Sequence, residues 1–355
     1  MRASSLHNTL VHLIQQKRPP FIWGPPGIGK SDIVHQVGEE LNMEVRDVRL
    51  SLMDPIDLKG FPVPDLDAGV MRWLPAEFLP RPDPVVAATT KKLAKGVKTA
   101  VVDAVEQAAG RPVLLFLDEM NSAPQSVQAA AYQLILNRRI GEYILPANCA
   151  IVAAGNRSSD RSVVHAQPAA LANRFVHLDL EVDANDWDLW AEKNGMHDHL
   201  RAFIKFRPGM LHDFDPSANP RAFQTPRSWA FVNDIYKSNL SPNEELETIK
   251  GTVGEAGSSE FVAFTRRIKD LPTVDDVIKN PTTAKLPDEP GGKWAIALAL
   301  VSATTNANFA TLMKYMTRLD TEFQVVYVRG ALRVDGVDSN KTYMDWGIKN
   351  QKVLM

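Results

Sequence analysis

A chain of 355 residues, 45% of them hydrophobic, can hold two or three domains with full cores. The formal charge of −2 and a pI near 6.5 argue against a constitutive electrostatic grip on nucleic acid, although local basic loops could still bind it. The single cysteine, Cys149, excludes an intrachain disulfide or a cysteine-based zinc site. No apolar stretch approaches the roughly 20 residues of a membrane helix, and the N-terminus, with His7 and His12 among its apolar positions, does not read as a signal peptide, so cytoplasmic residence without a membrane is expected.

The first element in the argument is a strand at 21–23 (Phe21, Ile22, Trp23), followed by Gly24-Pro25-Pro26-Gly27-Ile28-Gly29-Lys30-Ser31. The octapeptide fits GxxxxGK[ST], the pattern of a phosphate-binding loop. Gly24, Gly27 and Gly29 let the backbone fold tightly enough to aim N–H groups at a polyphosphate, and the helix start behind them supplies further unpaired donors. Lys30 would neutralise the β and γ phosphates, and the Ser31 hydroxyl would hold Mg²⁺. The spacing of Ile33, Val34, Val37 and Leu41 predicts a helix over 32–41.

A strand at 45–50 comes next, then a segment rich in proline (Pro55, Pro62, Pro64, Pro75, Pro80, Pro82, Pro84). Within it, 61–63 and 70–73 flank Asp65-Leu66-Asp67-Ala68-Gly69 and predict a hairpin. Its aromatics, Phe61 and Trp73, are expected to be buried against the core, the commoner fate of such side chains. Residues 91–109 read as a helix with a basic start (Lys91, Lys92, Lys95, Lys98).

The run Val113-Leu114-Leu115-Phe116-Leu117 predicts a strand buried on both faces, ending in Asp118-Glu119. Asp118 would bind Mg²⁺ through water and Glu119 would orient or deprotonate the attacking water, so the pair implies hydrolysis. A helix over 126–136 and a strand over 149–154 follow, placing Asn156 at a strand tip beside the acids, where an amide can hold the lytic water and sense the γ phosphate. Residues 171–175 read as a helix end entering a strand at 176–180, with Arg174 exposed. Arg138, Arg139, Arg157 and Arg161 are its rivals for a trans-acting role.

Beyond 183 the spacing predicts helices over 186–194 and 197–206, broken by Gly195. Thr225 and Pro226 read as an N-cap and first helical residue, with Arg227 in the first turn. His197 and His199 flank Asp198, but no further ligand is evident, and no metal site is expected there. Pro-, Asn- and acid-rich connectors at 240–244 and 271–292 bound a final helical pair, 294–303 and 309–319, with no catalytic motif.

The order of Gly24 to Ser31, Asp118-Glu119, Asn156, Arg174 and Thr225-Pro226-Arg227-Ser228 resembles the AAA+ ATPases, and specifically their MoxR-like group. The resemblance implies that these are Walker A, Walker B, sensor 1, the arginine finger and sensor 2, the last through Arg227. It implies an α/β fold: an αβα core with a parallel sheet at 1–182, a helical lid at 183–240 and a helical C-terminal extension at 241–355. In that family the segment near 54–84 is a helix-2 insertion, which makes Phe61 and Trp73 candidates for partner contact. The resemblance further implies a homo-oligomeric, hexameric ring that uses ATP and Mg²⁺ to remodel a protein partner, one carrying a von Willebrand factor A domain in many family members. Two other readings remain: a nucleic-acid translocase or restriction-type motor on the same core, and an ATP-binding assembly switch with little turnover, against which Glu119, Asn156 and Arg174 argue.

Overall fold

In the computed structural model, residues 1–80, 111–141, 143–160, 172–217, 221–238 and 240–351 are described. The expected 91–109 helix, Arg161, Pro82 and Pro84 lie outside them. The chain divides into two compact units, Met1–Val182 and Asp183–Met355.

The first unit is built on α1 (Ala3–Gln15), β1 (Pro20–Trp23), α2 (Lys30–Glu40), β2 (Glu44–Arg49), α3 (Pro55–Lys59), β3 (Phe61–Asp65), β4 (Val70–Leu74), β5 (Val113–Asp118), α4 (Gln125–Asn137), β6 (Arg139–Ile140), β7 (Tyr143–Ile144), β8 (Cys149–Gly155) and β9 (Val176–Asp179). Five strands pair in parallel in the order β2-β5-β8-β1-β9. Strand alternation sends successive side chains to opposite faces, and both faces are covered. Leu115, Leu117, Ile151 and Ala153 pack with Val127, Ala131 and Leu134 of α4. Leu114, Phe116, Val152 and Ala154 pack with Leu6 and Leu10 of α1 and Val34 and Val37 of α2. Each fully buried Leu or Phe of these layers contributes about 1.5–3 kcal/mol. Cys149 is part of the first layer, and burial pushes its thiol up to about 11, so it is inert core.

The hairpin forms as its turn chemistry predicts, with β3 and β4 antiparallel and Phe61 opposite Leu74. Its aromatics contradict the burial expectation: Phe61 is 66% and Trp73 38% exposed. Burial requires a face to pack against, and every residue of β4 is exposed.

The second unit is helical: α5 (Ala184–Lys193), α6 (Asp198–Phe206), α7 (Pro226–Tyr236), α8 (Pro242–Ile268), α9 (Val274–Lys279), α10 (Pro290–Ser302), α11 (Phe309–Met316), α12 (Thr321–Ala331) and α13 (Lys341–Lys349). Gly195, at φ +63°, separates the first two as expected. Thr225 caps α7 by accepting from the Ser228 N–H, with Pro226 in the first turn. The connectors at 240–244 and 271–292 are corrected, because their composition is helix-start chemistry. Ser241 and Glu244 form the capping box that opens α8 with Pro242 behind the cap, Thr273 and Asp276 do the same for α9, and Pro290 opens α10. The final helical pair is likewise too few, since α12 and α13 follow it. An aromatic cluster of Phe203, Trp229, Phe261 and Phe264 fills the interior around α6 to α8, beside a buried ion group in which Asp188 accepts from Arg201 at 2.9 Å and lies 3.0 Å from the Lys205 ammonium. Among the described residues no helix is long and apolar enough to cross a membrane.

Candidate active site

The octapeptide links β1 to α2 at the carboxyl edge of the sheet, the usual place for a ligand in an open parallel sheet. Gly27 and Gly29 stand at φ +76° and +93°, a left-handed conformation that glycine adopts without a Cβ penalty, and Gly29 is the N-cap of α2. Lys30 is buried. Its ammonium donates to the carbonyl oxygens of Gly24 at 2.6 Å and Pro25 at 3.0 Å and to the side-chain oxygen of Asn156 at 3.0 Å. Ile28 packs into the core with Val34, whereas Pro25 and Pro26 are half-buried.

The register brings the acidic pair to the same edge: Leu117 pairs with Ala153, Ile22 with Ala154 and Trp23 with Gly155. Asp118 ends β5. Its Oδ2 accepts from the Ser31 hydroxyl at 3.3 Å and its Oδ1 from the Glu119 N–H at 2.8 Å. Glu119 is left-handed at φ +53°, a conformation that costs a non-glycine residue about 1–3 kcal/mol and concentrates at functional positions. The Ser51 hydroxyl donates to its carboxylate Oε2. On β2, Asp47 lies 3.9 Å from His35 of α2, and burial, then the Asp118 carboxylate, raises its carboxyl above the usual range.

Asn156 follows β8, and its backbone oxygen accepts from the Asn121 amide at 2.6 Å. Asn121 is buried with its Oδ1 unpartnered, at a cost of about 1–3 kcal/mol.

Arg174 is exposed on a turn anchored from both sides. Phe175 packs edge-on against Phe21 at 5.3 Å, and His177 contacts the Ala172 carbonyl at 2.8 Å and accepts from the Trp23 indole at 2.9 Å. Among the described residues the Arg174 guanidinium has no hydrogen bond or ion pair. Two rivals are committed elsewhere: Arg138 donates to the carbonyls of Pro146 and Cys149 at 2.7 Å each, and Arg157 to Asp179 and the Leu180 carbonyl at 3.1 Å each. Arg139 donates to the Gly141 carbonyl at 2.9 Å and is otherwise exposed. Arg227 is exposed in the first turn of α7, in the second unit. There, His197 accepts from the His199 N–H at 3.1 Å and His199 bonds the Tyr236 hydroxyl at 2.9 Å, so both rings serve the helical packing.

Ser51, Asn121 and the Asp47–His35 pair escape sequence reasoning. Ser51 lies two residues past the end of β2, and only the pairing of β2 with β5, Arg49 opposite Asp118, places it near the acidic pair. Asn121 carries no signal beyond its closeness in sequence.

The sequence model of the AAA family, the ATPase family associated with various cellular activities, matches residues 20–178, a span that contains the loop, the acidic pair, Asn156 and Arg174. Over this span, a little under half of the chain, the residues resemble an AAA ATPase domain. Comparison with the curated proteins gives no match. Among solved structures the chain is similar to a provisionally assigned ATPase from Cytophaga hutchinsonii at 13% identity, covering 91% of this chain and 79% of that chain with a TM-score of 0.35. It is similar also to a RuvB mutant of Thermotoga maritima (13% identity, 79% and 75% covered, TM-score 0.36) and to NtrX from Brucella abortus (13%, 92% and 67%, TM-score 0.39). The family match alone carries this resemblance.

Proposed function

We propose that this chain is a ring-forming, MoxR-like AAA+ ATPase that hydrolyses ATP at subunit interfaces and uses the cycle to remodel or activate a protein partner in the cytoplasm. The observation that carries the reading is the convergence of five groups at one sheet edge: the Lys30 ammonium bonded to the Asn156 amide, the Ser31 hydroxyl bonded to the Asp118 carboxylate, and the Glu119 carboxylate, which Ser51 holds.

Lys30 and the loop N–H groups would bind the β and γ phosphates, and Glu119 would accept the proton of the attacking water as its oxygen bonds to the γ phosphorus and the bond to ADP breaks. Asn156 would hold that water and the γ phosphate in line. Ser31 and Asp118 offer hard oxygen donors 3.3 Å apart, which fit a magnesium ion. When bound, the ion supplies neutralisation of phosphate charge. The Arg174 guanidinium, exposed on an anchored turn and without a partner among the described residues, supports a finger that reaches a neighbour's phosphate, and Arg227 is the candidate for sensor 2. The exposed Phe61 and Trp73 support a partner-contact role for the hairpin. A hexameric ring and a partner with a von Willebrand factor A domain rest on the family resemblance.

Subunit mixing tests the shared site. Arg174→Ala should lower turnover by about 10³- to 10⁵-fold with ATP binding intact, and mixing it with inactive Lys30→Ala subunits, which retain Arg174, should restore part of the activity. Mixed rings that recover none would place Arg174 outside the neighbour's site.

A further inference from the structure

Asn121 is 3% exposed, and its side chain sits between the two segments that carry the expected chemistry. Upstream in sequence, two residues away, is Glu119. Across the sheet edge is Asn156, whose backbone oxygen accepts from Asn121 Nδ2 at 2.6 Å. That carbonyl can only accept, so it fixes which end of the Asn121 amide faces it.

The amide oxygen is consequently turned against Gly155. A Cβ at residue 155 would lie 2.2 Å from Asn121 Oδ1 and 3.1 Å from the Phe21 ring, so the glycine makes room for this side chain. Packing alone does not account for an asparagine here, because an apolar residue of similar shape would leave no buried oxygen unpartnered. What the amide alone supplies is the tie to Asn156.

The tie is braced at both ends. Met120 N–H donates to the Ala154 carbonyl at 3.0 Å, alongside it. From α4, Gln128 Nε2 donates to the Ala123 carbonyl at 2.9 Å and, at a long 3.5 Å, to the Asn121 carbonyl, while the Tyr132 hydroxyl donates to Gln128 Oε1 at 2.7 Å. On the far side, Asn156 Oδ1 receives the Lys30 ammonium. A continuous path therefore runs from α4 through Asn121 and Asn156 to Lys30.

We propose that Asn121 is a positioning residue for ATP hydrolysis: it locks the turn bearing Glu119 to the strand tip bearing Asn156, so that the water-activating carboxylate and the γ-phosphate-sensing amide move as one body. The inference rests on the hydrolytic reading of this site. It assigns to Asn121 no contact with nucleotide, so its loss should leave ATP binding unchanged and act on turnover.

The test measures steady-state ATP turnover, titration with a fluorescent ATP analogue, and thermal midpoint on the full chain. Asn121→Leu and Asn121→Ala should bind the analogue as the wild type does and keep KM, while kcat falls about tenfold or more, the pattern of an interaction realised in the transition state. Gly155→Ala alone should lower the thermal midpoint, because its methyl meets the Asn121 oxygen. Adding Asn121→Ala should restore the midpoint and leave kcat low, which separates packing from positioning and carries the test should a single variant fail to fold. Wild-type kcat in a folded Asn121→Leu or Asn121→Ala protein, or kcat recovering with the midpoint in the double variant, would overturn the proposal. A wild-type chain that hydrolyses no ATP would instead overturn the hydrolytic reading and this inference with it.

Discussion

The Lys30 ammonium and the Asn156 side-chain oxygen are 3.0 Å apart, so the cation of the phosphate-binding loop and the amide at the tip of β8 share one hydrogen bond across the sheet edge. The two residues are 126 apart in sequence and meet only because β1 and β8 are parallel neighbours. Lys30 keeps its contacts with Gly24 and Pro25 whatever stands at 156. Asn156→Ala should therefore bind ATP near the wild-type level and lose about 10²-fold in turnover, the scale for one polar group that acts on a developing charge. Lys30→Ala removes the loop's only cation and should abolish binding, as read by nucleotide titration.

The parts of the fold that sequence reveals are those with strong local signals. The apolar runs at 113–117 and 149–154 are short, uninterrupted and bounded by polar or turn-forming residues, the pattern of strands covered on both faces, and the loop pattern fixes strand, turn and helix together. Phe61 and Trp73 depart from the burial expectation because residue type reports a preference for burial and says nothing of whether a partner layer exists. The helix starts at Ser241 and Thr273 resemble linkers in sequence because proline and acidic residues mark both. Ser51 and Asn121 gain their meaning only from strand order, which places residues from separate segments side by side.

The hairpin offers a stability test. Phe61 and Trp73 are exposed, so Phe61→Ala or Trp73→Ala should change stability by no more than about 0.5 kcal/mol, the usual range for surface positions, and leave basal ATPase intact. A loss near 3–5 kcal/mol in denaturant unfolding, the cost of truncating a buried aromatic, would contradict the exposed placement.

A pH dependence follows from His199. Burial, and next the neighbouring His197, lowers its pKa from 6.5 to about 4. Between those values the unfolded chain binds a proton that the folded chain does not, so this contribution to stability is present above pH 6.5 and is lost as pH falls toward 4. His199→Phe removes the titration, and the hydrogen bond to Tyr236 is lost at every pH. Urea midpoints at pH 7 and pH 4.5 should therefore fall further in the wild type than in the variant; equal falls would contradict the burial of a neutral imidazole.

The central claim is that ATP is hydrolysed at the edge where Lys30, Asp118, Glu119 and Asn156 meet, with Glu119 as the group that activates water. Phosphate release and nucleotide affinity measured side by side on wild type and Glu119→Gln test it most directly. The glutamine keeps the size and the contact with Ser51 but cannot take a proton, so ATP affinity should be retained while phosphate release is lost. Undiminished phosphate release from the Glu119→Gln protein would contradict the account.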